Sequence, residues 1–203
     1  MKKILGLLAV AVLVFAPMAS ATPLVINLTT PNSALAGYTS PYGTVTIDLT
    51  TATTAQVTFV GALNYRFGAN GATNLNVNAE TFGVSNFVGY TDPGVGSGNI
   101  SAFGRFNLSI DNSDGWGDSA TPMSFLLTNT SGTWASVNDV LVANNAGFFA
   151  AGHIFIPNET GSAAAVTGYA ADGSGTPVPE PASMLLLGSG LLGAGLFGRR
   201  RKK

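Results

Sequence analysis

Between Leu24 and Tyr169 apolar and polar residues alternate in short bursts. In Thr44–Leu49 the apolar Val45, Ile47 and Leu49 share one parity, and in Ala55–Phe59 so do Ala55, Val57 and Phe59. Successive side chains of a strand point to opposite faces, so this period of two predicts half-buried strands. Thr50–Thr53 between them is short enough for a hairpin. The same reading predicts strands at Leu24–Leu28, Asn74–Ala79, Phe82–Phe87, Arg105–Ile110, Met123–Thr128, Phe148–Ile156 and Ala164–Tyr169. Clusters of Gly, Asn, Asp and Pro separate them, and Asn70-Gly71 is a tight-turn dipeptide. No apolar period of 3.6 is sustained from Thr22 to Thr176; only Val137–Asn145 admits a short helix. About eight to ten short strands, each with one apolar face, require two packed antiparallel layers. The expected fold is an all-β antiparallel β-sandwich, with jelly-roll connections possible and a barrel as the alternative. Short strands without aromatic girdles disfavour an outer-membrane barrel, and no fixed-period repeat suggests a solenoid.

The two ends follow other rules. Met1-Lys2-Lys3 is positive, Ile4 to Ala16 is apolar, and Ala19-Ser20-Ala21 is a small-x-small cleavage site. This is a secretory signal pattern over 1–21, with the mature chain starting at Thr22. Its handling partners are the Sec translocon and signal peptidase. At the other end, a Gly/Ser/Pro linker at 172–178 precedes Pro179-Glu180-Pro181. Residues 182–198 carry no charge, and Arg199-Arg200-Arg201-Lys202-Lys203 closes the chain. As a helix the uncharged stretch would measure about 25 Å, at the short limit for crossing a core of about 30 Å. The basic cluster resists translocation and predicts a cytoplasmic C-terminus.

Val178-Pro179-Glu180-Pro181-Ala182-Ser183, the Gly/Leu-rich span and the Arg-rich end resemble the PEP-CTERM sorting signal. That signal marks exported proteins of Gram-negative bacteria that make extracellular polysaccharide. A tail of this kind is also described as an ice-binding protein C-terminal domain, a label that is no evidence for ice binding. The resemblance covers about an eighth of the chain and implies cleavage at or beside the motif by an exosortase, a membrane-embedded, transpeptidase-like cysteine enzyme. It makes Pro179, Glu180 and Pro181 the recognition motif, 182–198 the membrane helix and 199–203 the cytoplasmic tail. The implied organisation is a signal peptide at 1–21, an ectodomain at 22–171, a linker at 172–178 and a sorting signal at 179–203.

Charge sharpens this picture. The whole chain has a formal net charge of −1, but most of its basic residues lie in the two ends. From Thr22 to Thr176 only Arg66 and Arg105 are basic against nine acidic residues, a net of −7. Phosphate binding needs a basic surface, so nucleic acid is an unsuitable partner. There is no cysteine. Thiol catalysis is excluded for this chain, and a single histidine leaves no common zinc constellation.

Few residues between the ends suggest chemistry. Asp111, Asp114 and Asp118, with Asn112 in a Gly-bearing loop, are a candidate calcium set, because calcium takes six to eight oxygen ligands. The spacing is not that of an EF-hand, and the competing reading is an Asp/Asn/Gly turn. His153 shares strand parity with Ala151 and Phe155, which favours a packed side chain. A triad with Asp139 and a serine lacks any nucleophile-elbow sequence. Trp116, Trp134, Tyr38, Tyr42 and Tyr90 could stack on sugar rings, though packing is the commoner use. Asn-x-Ser/Thr sites occur at Asn27, Asn99, Asn107, Asn129 and Asn158. The resulting expectation is a non-enzymatic, exosortase-processed protein. It passes through the inner membrane to the cell surface or extracellular matrix, with a structural or adhesive role in biofilm or exopolysaccharide. The alternatives are a calcium-dependent carbohydrate-binding module and a secreted hydrolase.

Overall fold

The first strand, β1 (Leu24–Pro31), belongs to both halves of the structure. Its beginning pairs with β2 (Gly43–Thr51) through Leu24–Leu28. Its end pairs with β11 (Ala164–Asp172) from Leu28 to Pro31, across a break in register. The chain is a computed structural model describing residues 22–173. A bulge bends the strand that carries it and raises its twist. Here the bend turns one sheet back over itself.

The sheet is antiparallel at every ladder. From one edge it runs β6 (Phe82–Val88), β9 (Met123–Asn129), β3 (Thr54–Gly61), β2, β1, β11, β10 (Ala150–Pro157), β5 (Thr73–Leu75), β8 (Gly104–Asp111) and β7 (Gly94–Ile100). The two-residue β4 (Arg66–Phe67) also pairs with β10. The fold is therefore all-β, a nearly closed barrel that can equally be described as a sandwich with one shared strand. The hairpins β2–β3, β7–β8 and β10–β11 keep successive strands side by side. A jelly roll would instead alternate them between layers.

Closure is completed by side chains. Edge strands β6 and β7 are joined by Gly89–Pro93, and Tyr90 of this loop reaches Thr73 of β5 with a hydroxyl–hydroxyl distance of 2.6 Å. A chain of aromatic rings leads to that bridge. Phe67 meets Phe59 edge-on at 5.6 Å, Phe59 lies 6.5 Å from Phe125, and Phe87 links Phe125 to Tyr90. The inward parity of β2, β3 and β9 supplies Val45, Ile47, Ala55, Val57, Phe59, Met123, Phe125 and Leu127, all wholly buried. Phe67 is seated where two strands lack a side chain: a Cβ at Gly152 would lie 2.5 Å from its ring, and one at Gly43 2.8 Å.

A smaller apolar cluster covers the opposite face of β10 and β11. Ile100, Phe103 and Phe106 from the β7–β8 hairpin pack on Ala151 and Ala171, with Phe148 and Tyr169 against them. Both faces of β10 are thus covered, which explains its nearly unbroken apolar sequence.

Several expectations shift. Asn74–Ala79 forms a ladder only to Leu75, then a single bridge from Val77 to Leu141. Val137–Asn145 contributes one 3-10 turn, Val137–Asp139. Strands β4 and β7 were not expected. Asp172, expected to open the linker, is the buried last residue of β11. The signal peptide, the segment 182–198 and the basic tail lie outside the described residues. Among the described residues no helix is long and apolar enough to cross a membrane.

Replacing Phe67 by Ala should cost about 3–5 kcal/mol through the cavity it leaves. Gly152→Ala should cost about 1–3 kcal/mol through overpacking. Because the two groups touch, Phe67→Leu combined with Gly152→Ala should cost less than the sum of the single changes. Urea midpoints of the variants measure all three.

Candidate functional site

The acidic loop after β8 does not gather its carboxylates. Asp111 accepts the Gly71 N–H at 2.6 Å, and Asp114 accepts the N–H of Gly115 within its own turn. Asp118 engages through its backbone, its carbonyl accepting from Asn112 Nδ2 at 2.7 Å. Among the described residues no three His, Asp or Glu side chains converge as a metal site would require. Asn112, which looked like a ligand, is buried and committed to backbone: its Oδ1 also accepts the Thr91 N–H at 2.7 Å. The loop is thus a braced turn, and the expected set of Asp111, Asp114 and Asp118 is not assembled.

His153 sits on the outer face of β10, stacked on Tyr169 of β11 at 4.3 Å with the rings 19° from parallel. Burial lowers its pKa, opposed by the Asn70 backbone and the charge of Asp114. Its Nδ1 is buried without a hydrogen-bond partner. Asp139 instead accepts from the backbone and hydroxyl of Ser136 at 2.9 and 2.8 Å. Among the described residues Asp139 and His153 are therefore not joined as the expected triad would have them.

Of the candidate aromatics, most are packed. Trp134 is buried and donates its indole N–H to Asn78 O at 2.8 Å. Tyr42 is buried and donates to Leu35 O, and Tyr90 is used in closure. Tyr38 is exposed at a turn. Of the Asn-x-Ser/Thr sites, Asn129 is buried and accepts backbone N–H groups of Ser131 and Gly132.

Trp116 is different. The acidic loop carries it to the rim of an open cleft of about 390 Å³, lined by residues of three distant segments and by Thr121. The Arg66 guanidinium lies over the indole, 4.3 Å from the ring centroid. This stacking holds both planes in place, as a cation over an aromatic face does. Ser119 fixes the loop from below by donating its hydroxyl to Trp116 O at 2.7 Å.

The opposite rim is the turn Ala62–Tyr65, closed by Tyr65 N–H to Ala62 O at 2.9 Å. It places Leu63 at φ 53° in the first central position. That left-handed conformation ordinarily selects Gly or Asn. Leu63 is nevertheless 71% exposed. The third segment is the tip of the β10–β11 hairpin. There Asn158 Oδ1 accepts the N–H groups of Ser162 and Ala163 and so presents Glu159 to solvent. Residue pattern alone did not reveal this site, because no single segment carries it. Trp116 stood out in the sequence as a loop aromatic able to stack on a sugar ring, but its partners in the cleft did not.

A second groove of about 330 Å³ runs along β7, lined by its glycines, Asp111 and Tyr169. No indole and no basic side chain lines it.

Among the described residues, Asp172 is the one buried carboxyl whose charge is opposed by its surroundings. Burial raises its pKa from 3.8 to about 6, despite N–H bonds from Ala150 and Phe149 at 3.0 Å each. The folded state therefore holds this proton more tightly than the unfolded chain does. Stability from this group grows as pH falls from about 6 towards 4 and is lost as pH rises through about 6. The span is worth about 2–3 kcal/mol. His153 acts in the opposite sense, losing stability as pH falls below its ordinary value. Asp172→Asn keeps His153 and should remove the Asp172 part. The difference in melting temperature between parent and variant should then favour the parent progressively between pH 7 and pH 4.5.

A family model for the PEP-CTERM protein-sorting motif matches residues 177–202. No curated protein and no solved structure gives a significant match to the chain. The chain thus carries a PEP-CTERM sorting motif at its C-terminal end. The motif implies an exosortase as processing partner, export, and a membrane-anchored intermediate before release to the surface.

Proposed function

We propose that this chain, whose C-terminal end carries a PEP-CTERM sorting motif, is released by exosortase cleavage as a non-enzymatic β-barrel. At the cell surface or in the extracellular matrix it has a structural or adhesive role. The single observation carrying this reading is the motif match at 177–202, which includes Pro179-Glu180-Pro181 and Arg199–Lys202. The signal pattern ending at Ala21 supports export from the other end of the chain.

The barrel's geometry suits such handling. Asp172, the last residue of β11, pairs with Leu28, four residues from the start of β1 at Leu24. The two ends of the described chain therefore leave the barrel at one pole, separated by roughly 13 Å along the strand direction. The surface also fits, since a net of −7 with no lysine between Thr22 and Thr176 favours solubility. With the carboxylates of the acidic loop apart, the calcium-dependent alternative has no assembled donor set in its favour. The hydrolase alternative has no joined Asp139 and His153 in its favour.

Replacing Pro179, Glu180 and Pro181 together by Ala should leave the protein in the inner-membrane fraction of producing cells, while the parent collects outside. Fractionation with an antibody to the barrel reads this directly. Equal release of parent and variant would remove the motif from the account.

A further inference from the structure

We infer that the cleft between Leu63, Trp116 and Glu159 is a calcium-independent binding site for a neutral pyranose polysaccharide. This deepens the proposed function and rests on it only for where the ligand is met. The binding itself is a property of the folded chain.

Position is the first argument. Asn158 and Glu159 sit at the tip of the β10–β11 hairpin, and β11 then runs from Ala164 to Asp172. Those nine residues carry the chain about 26 Å to the opposite pole, where the tether begins. The cleft therefore opens at the pole opposite the two ends of the described chain, where an extended polymer has access.

Composition is the second. A pyranose ring offers an apolar C–H face and a rim of hydroxyls that both donate and accept. The cleft offers Trp116 and Leu63 as apolar surface. Around them stand the Asn64 amide, the Arg66 guanidinium and the Glu159 carboxylate, side chains with no hydrogen bond to another described residue. One donor, one acceptor and one group that does both is the set that hydroxyls require. An anionic sugar fits less well, since Glu159 lies in the cleft and the surrounding domain is acidic. Arg66 is already stacked on the indole and needs no ionic partner to be held.

Strain is the third. A leucine at φ 53° carries a conformational cost, and its exposed side chain gains nothing from the core. Costs of this kind persist where the side chain has work outside folding. The Arg66–Trp116 stack makes the same point differently, because it fixes a half-buried indole at the rim of the cleft before any ligand arrives, and preorganised aromatic anchors dominate binding energy.

The test uses the full chain in a zwitterionic detergent without sugar headgroups. A panel of neutral linear oligosaccharides, α- and β-linked hexoses six units long, is titrated while tryptophan emission is followed. Trp134 is buried and hydrogen-bonded, so a saturable shift reports Trp116. At least one member of the panel should give a shift that chelator leaves unchanged. Calorimetry on variants then locates the site. Glu159→Gln and Leu63→Asn should each weaken binding at least about fivefold, and Trp116→Ala about tenfold or more. Leu63→Asn should melt no lower than the parent, because Asn tolerates the left-handed region, so its loss of binding cannot be a loss of fold. No response to any neutral oligosaccharide would overturn the inference. So would binding unchanged in both Leu63→Asn and Glu159→Gln, or binding confined to acidic oligosaccharides or to peptides. None of these outcomes depends on whether the sorting motif is cut, which the fractionation experiment reads separately.

Discussion

The packing of Phe67 against two glycines is the constraint on which the barrel depends. The protein has no cysteine to staple it. It must be held by burying the concave face of a single curved sheet. That requires the β2 wall and the β10 wall to approach one ring, and Gly43 and Gly152 are where they do so. From Phe67 the aromatic contacts pass through Phe59, Phe125 and Phe87 to Tyr90, which ties the otherwise unpaired edge of the sheet to Thr73. The same closure sets the function. It brings the turn Ala62–Tyr65, the acidic loop and the β10–β11 hairpin to one pole and leaves both chain ends at the other.

Alternation was legible where a strand has one wet face and one dry face. Strands β2, β3 and β9 sit close to where their apolar parity predicts them, and so does the hairpin between β2 and β3. The glycine-rich β7 was not legible, because nearly all its residues are exposed and three of them are glycines with no side chain to alternate. Strand β4 has only two residues, too few for any period. The apolar run Val140-Leu141-Val142 suggested a helix, yet it lies against Asn76–Asn78 as a partial strand pairing.

The candidate site divides in the same way. The sorting signal is linear, so its order of motif, apolar span and basic end could be read directly. The calcium set is not drawn together, for a physical reason that composition hides: Asp111 is turned towards Gly71, and Asn112 is spent on bracing the loop. Trp116 was among the aromatics picked out in loops, but its partners Arg66, Leu63 and Glu159 are brought to it only by the fold. A cleft built from segments so far apart along the chain is not marked as a site in any one of them.

The central claim is that the barrel leaves the membrane as a processed product. The intact mass of the native protein recovered from its producing cells tests this most directly. The account predicts a species running from Thr22 to the vicinity of Glu180, with any excess mass due to an attached group. A species running from Thr22 to Lys203 would contradict it and make the C-terminal segment a permanent anchor.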